Sequence, residues 1–353
     1  MEFINANDLP AAGAMGTDNK VIVQQGDKFV LMTLAELLSY MASASVETDP
    51  TLTLEGVAAE ALATGKAVKT ARAVNLLDNS HFFNPVKQRG ITSIAGPSAS
   101  NIPYFIDRWL TYGGGTTFDV SGKKLKITNN GSATCGFVQR IAADDLKVGK
   151  VYTLAFKAIL TGEEWFLSRG TNATNIADSS EALEPGVEKI HTFTFTLPES
   201  LTDVFNFRIR STAVAGTAEI EWAALYEGEY TAETLPEYQP KGYAAELAEC
   251  LRYFINKVGP GATGFYLANS NQFRVLIPTP VPMRVKPTVS MISTDSVVSN
   301  VSGATTAATV SAAAVSDMYN NGVSVTLTTN SKPGSYAPGT LYSGFNLELS
   351  ADL

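Results

Sequence analysis

The chain has 353 residues, enough for two or three domains, and is 45% hydrophobic but only 17% charged, a composition that excludes intrinsic disorder. Its formal net charge of −8 excludes the broad basic surface a nucleic-acid binder needs, while leaving a glycan ligand open. Cys135 and Cys250 lie too far apart for a metal-spacing motif and read as buried free thiols. The opening "MEFINANDLPAAGAMG" lacks the basic and apolar regions of a secretory signal. The longest uncharged tract, "SVVSNVSGATTAATVSAAAVS", is too rich in Ser and Thr to span a bilayer, so a soluble chain without membrane insertion is expected.

In chain order, "KVIVQQ" and "KFVLM" flank a Gly-Asp turn and predict a hairpin. Thr33 and Glu36 then stand at capping-box spacing before "LAELLSYM". This opening unit, 1–48, is too small to bury much surface alone. Over 49–74, Leu54, Val57, Ala61, Thr64, Val68 and Ala71 alternate spacings of three and four, which predicts a short helical neck with a heptad seam shared between parallel chains.

From 75 to 240 the period changes to two. "KLKIT", "VYTLAFKAIL", "HTFTFTL" and "EIEWAALYEG" alternate, and "FNFRIRS" sets Phe205, Phe207 and Ile209 on one face and Asn206, Arg208 and Arg210 on the other. Short alternating strands without long helices between them predict an antiparallel, jelly-roll-like sandwich. "LPEYQPKG" reads as a Pro-and-Gly linker, and after it the spacing of Leu247, Cys250, Leu251, Phe254 and Val258 predicts a helix reaching 258. The prolines of "FRVLIPTPVPMRVKPTVSM" predict extended backbone and no central paired strand there. Alternation returns at Val323, Val325 and Leu327 and at Leu347 and Leu349, making 241–353 a second β domain. The fold class expected is mainly β.

Signals for catalysis are sparse. The only histidines, His81 and His191, stand apart, and no metalloprotease, nucleophile-elbow or phosphate-loop motif occurs. "GGG" at 113–115 reads as a turn. The neighbouring carboxylates Asp144 and Asp145, and Glu163 and Glu164, would point to opposite faces of a strand. No enzyme, metal or cofactor is expected, the alternatives being a structural calcium at Asp145 and its neighbours and a polysaccharide depolymerase whose carboxylates come from different elements. Trp109 and Trp222 read as core, and Trp165, just after a turn, is a candidate for stacking on a sugar.

"DPTLTLEGVAAEALATGKAV", followed by "NLLDNSHFFNPVKQRG" and "YFIDRWL", resembles bacteriophage tail fibre and receptor-binding proteins. In these a helical neck leads into a carbohydrate-binding-module-like sandwich. Trp222 departs from the pattern, which leads one to expect an aliphatic residue. The resemblance implies that Phe82 and Phe83 pack inward and that Gln88-Arg89-Gly90 turns the chain. It further implies a homotrimer in a virion tail, attached through the N-terminus to tail or baseplate proteins and adhering to a host surface polysaccharide. The distal end of the C-terminal domain would meet the host first, which makes Tyr319, Tyr336 and Tyr342 candidate ligand-binding residues beside Trp165.

Sedimentation of the intact chain at micromolar concentration should therefore give a trimer, and a stable monomer would contradict the fibre reading. Val68→Asp would bury three like charges on the axis and should loosen the assembly.

Overall fold

The computed structural model describes residues 20–25, 28–33, 35–36, 48–49, 58–59, 73–97, 102–162, 164–170, 176–179, 182–198, 204–258, 261–268, 270–292, 296–301, 304–331, 338–341 and 346–352. The chain divides into two compact units, Met1–Arg72 and Ala73–Leu353. In the first, β1 (Lys20–Gln25) and β2 (Lys28–Thr33) form the expected antiparallel hairpin. The capping box forms too: Glu36 N donates to Thr33 Oγ1 at 3.1 Å and Thr33 N donates to Glu36 Oε2 at 2.8 Å.

The neck is different from expectation. β3 (Thr48–Asp49) pairs in parallel with β4 (Ala58–Ala59), so extended backbone lies where an unbroken helix was predicted. A helix there would contain Gly56 and bury mostly small side chains, which gives it little to offset its own ordering. The seam residues Leu54, Val57, Ala61, Thr64, Val68 and Ala71 lie outside the described residues.

The second unit begins with a sandwich. One six-stranded sheet runs β6 (Tyr104–Ile106), β7 (Trp109–Tyr112), β10 (Cys135–Ala142), β15 (Val204–Ser211), β12 (Trp165–Gly170), β13 (Ile176–Asp178). The other runs β5 (Ser93–Ala95), β8 (Thr116–Asp119), β9 (Leu125–Asn130), β16 (Ala215–Glu227), β11 (Val151–Thr161), β14 (Lys189–Thr196). Alternate residues of both sheets meet in one aromatic core, where Trp109 stacks parallel on Phe137 at 4.5 Å and Phe82 meets both edge-on. Both cysteines are buried and free, as expected.

The segment opening the sandwich proves to be a hydrogen-bonded knot. Asn79, in left-handed backbone at φ 50°, donates through Nδ2 to the carbonyls of Val86 and Asp107 and accepts from Val86 N. Trp109 Nε1 donates to Asn79 O at 2.9 Å, and Arg108 pairs with Asp78. Gly90 closes the expected turn at φ +70°, where a side chain would be strained. Phe82 packs inward, but Phe83 is 51% exposed, which corrects the expectation for that residue.

Two further expectations are corrected. "LPEYQPKG" is no free linker: Tyr230, Leu235 and Tyr238 pack over the outer side of the second sheet, and Tyr238 stacks on Trp222 at 4.6 Å, which explains an aromatic at that position. The predicted helix stops early, as α1 (Tyr243–Leu251) gives way to β17 (Phe254–Val258). β17 pairs with β25 (Leu347–Ser350), which pairs in turn with β20 (Thr288–Met291). Phe254, Ile255 and Val258 favour a strand once that partner exists.

The remaining strands close a barrel in the order β18 (Thr263–Tyr266), β19 (Gln272–Pro278), β23 (Gly322–Thr329), β22 (Ala304–Tyr319), β21 (Ser296–Val301), β24 (Pro338–Leu341). The proline-rich tract thus does contain a paired strand, β19, whose one proline stands at its last position.

Arg89 joins the sandwich to the three-stranded sheet of β17, β25 and β20. Its guanidinium lies between the rings of Tyr104 and Phe254, at 4.7 and 3.7 Å, and pairs with both Asp107 and Asp352. Gln88 Nε2 adds a bond to Phe254 O at 2.8 Å.

This packing makes two predictions. Trp109→Ala should cost about 3–5 kcal/mol in chemical denaturation, the range for emptying a large aromatic site. Burial pushes the Asp107 carboxyl up to about 6 against the pull of Arg89. A raised folded-state pKa stabilises below the ordinary carboxylate range, and the contribution is lost as pH rises through about 6. The wild type's melting midpoint should therefore fall relative to Asp107→Asn between about pH 4 and pH 7. A difference independent of pH would contradict this.

Candidate binding face

Because Phe205, Phe207 and Ile209 of β15 enter the core, Asn206, Arg208 and Arg210 project from the outer side of the first sheet. Strand register arranges that side in rows. The row through Arg208 holds Ser168 of β12, Val138 of β10 and Leu110 of β7. The next holds Phe166, Arg210, Gly136 and Tyr112. On the other side Arg140 Nε donates to Asn206 Oδ1 at 3.1 Å.

Gly136 has a specific purpose here. A Cβ at this position would fall 2.5 Å from the Tyr112 ring, so the missing side chain lets that ring lie down on the sheet. Burial raises the Tyr112 hydroxyl above its ordinary pKa, opposed by the Arg208 guanidinium that hydrogen-bonds it. Arg210 donates through Nε to Asp178 Oδ1 at 2.7 Å and through Nη2 to Asp178 Oδ2, with its guanidinium over Phe166.

Arg208 itself is buried in the row it shares with Val138 and Leu110, with only 5% of it exposed. Its Nε and Nη2 have no partner among the described residues, and neither has the neighbouring Ser168 hydroxyl. Buried donors without acceptors are costly and uncommon in folded proteins. A ligand with oxygen acceptors would satisfy them, while Tyr112 and Phe166, each partly exposed, offer ring faces beside them.

The residues singled out from sequence fall elsewhere. Trp165 is fully buried, with Nε1 donating to Thr161 O at 3.1 Å, so it is core and offers no face for stacking. Its neighbour Phe166 takes the outward position expected of Trp165. Tyr319 is 53% exposed at the end of β22, opposite Gly322 in the β22–β23 hairpin. Tyr336 and Tyr342 lie outside the described residues. His191 is buried in β14 with its pKa lowered by burial to about 4, and His81 stacks near Phe83 and Tyr238. No group of three metal-ligating side chains occurs among the described residues. Among them, too, no helix is long and apolar enough to cross a membrane.

No protein-family model and no curated protein sequence matches the chain. Solved structures do. One is the xylan-binding domain CBM22-1 of Paenibacillus barcinonensis Xyn10C, at 11% identity over 45% of this chain and 97% of that one, TM-score 0.31. Another is the N-terminal cellulose-binding domain of Cellulomonas fimi β-1,4-glucanase C, at 19% identity over 40% and 97%, TM-score 0.27. A third is a cyclase from Fischerella sp., at 16% identity over 46% and 99%, TM-score 0.31. Binding domains and an enzyme share this likeness, which concerns strand architecture and assigns no ligand.

Since Arg208 carries an unsatisfied buried fork, Arg208→Met should leave the melting midpoint unchanged or raise it. A fall of several degrees would show that the side chain is there for stability.

Proposed function

We propose that the protein binds a polysaccharide along the outer face of the first sandwich sheet, with Tyr112 and Phe166 supplying ring faces and Arg208, Arg140 and Ser168 supplying polar contacts. The observation that carries this reading is Arg208, buried with two donors unsatisfied beside an equally unsatisfied Ser168 hydroxyl. Together with the tail-fibre resemblance of the segments "NLLDNSHFFNPVKQRG" and "YFIDRWL", it supports a receptor-binding fibre subunit. In that setting a homotrimer attaches through its N-terminal unit to a tail or baseplate, and three individually weak sites act together on a host surface glycan.

The glycan is held and left intact. Glycoside hydrolysis needs two carboxyl groups flanking the bond, and Asp178, a carboxylate on this face among the described residues, is engaged by Arg210. The test is retention of the protein on host-surface polysaccharide, with a parallel assay for new reducing ends. Retention without new ends is expected. New reducing ends would replace this reading with a depolymerase, and no retention on any host polysaccharide would leave a structural spacer. Tyr319→Ala tests the rival placement at the hairpin and should leave retention within about twofold of wild type, because loop tips tolerate substitution.

A further inference from the structure

The same face carries a more specific signal, which names the class of glycan and so rests on the reading that this face binds one. In a guanidinium, Nε–H and Nη2–H lie parallel and match the two oxygens of a carboxylate. Two residues apart on β15, this face shows that fork in both states. The Nε and Nη2 of Arg210 hold the two oxygens of Asp178. The same two atoms of Arg208 are buried and have no partner among the described residues. Ser168, directly opposite Arg208 on β12, adds a buried hydroxyl that is likewise unpartnered. Val138 and Leu110, in the same row on β10 and β7, are buried apolar neighbours, and a charge-assisted bond gains strength in such surroundings.

We infer that Arg208 is a carboxylate receptor and that the glycan is acidic, a polysaccharide containing hexuronate residues. The uronate carboxylate takes on Arg208 the position that Asp178 takes on Arg210. The Ser168 hydroxyl donates to a carboxylate or ring-hydroxyl oxygen, and the apolar side of a sugar ring lies against Tyr112 or Phe166. A neutral glycan would leave the fork half satisfied and its charge uncompensated. The overall charge of −8 makes this face an exception on an acidic chain, so recognition of a polyanion here depends on the local fork and not on general attraction.

The test is affinity electrophoresis of the full chain in gels containing polygalacturonate, alginate or hyaluronan. Each is compared with the same polymer after chemical reduction of its carboxyl groups to hydroxymethyl groups, and with neutral xylan and β-glucan. At least one polyuronate should retard the wild type, and its reduced form should bind at least about tenfold more weakly. Arg208→Lys keeps the charge and removes the fork. It should lose about tenfold or more in affinity for the polyuronate while keeping the wild-type melting midpoint. Equal retardation by the reduced polymer, unimpaired binding by Arg208→Lys, or binding of neutral polymers alone would each overturn the carboxylate assignment and leave the glycan-binding reading intact. Failure of every polymer to retard the wild type would overturn both.

Discussion

Core and binding face are tied together by the alternation of side chains along β15. A strand sends successive residues to opposite sides, so burying Phe205, Phe207 and Ile209 in the sandwich obliges Asn206, Arg208 and Arg210 to leave it. The core thereby presents three polar side chains on one rigid strand, with neighbours on both sides fixing the register. A one-residue slip would put two arginines among phenylalanines. One choice of register thus sets both surfaces, and the proposed binding fork, placed on such a strand, would need little ordering when ligand arrives.

A second dependence runs through Arg89. One guanidinium between two aromatic rings serves two buried carboxylates, one in the sandwich and one next to the last residue of the chain. With two acids and one base, the joint holds an excess of buried acid, and burial raises both Asp107 and Asp352 above the ordinary carboxylate range. The motif "NLLDN…QRG…DRW" folds into this joint, with Asn79 stapling it from the sandwich side. Its residues explain the architecture and contact none of the open donors of the binding face.

Much of the sandwich was legible because period-two alternation is a local property, and β9, β11, β14, β15 and β16 all lie where their patterns predict. Even the two faces of β15 could be read directly. What the pattern could not show was which of the two β15 arginines pairs with a carboxylate. That depends on Asp178, some thirty residues earlier, meeting Arg210 across β12 instead of Arg208. The phase of Trp165 and Phe166 was ambiguous because both are aromatic, and only the fitted core decides which one turns inward. The run from Leu251 to Val258 satisfies helical spacing as well as strand composition, and its partner arrives almost a hundred residues later, at β25. Local periodicity cannot anticipate a partner so distant.

Whether Arg208 receives the ligand can be read from the side-chain Nε–Hε resonance of each arginine, followed by NMR while the full chain is titrated with oligogalacturonate. Arg208 should show the largest change, with smaller ones at Arg210 and Arg140 and none at Arg274 of the barrel strand β19. Changes confined to the barrel, with the Arg208 signal unmoved at saturation, would contradict a carboxylate receptor on the sandwich.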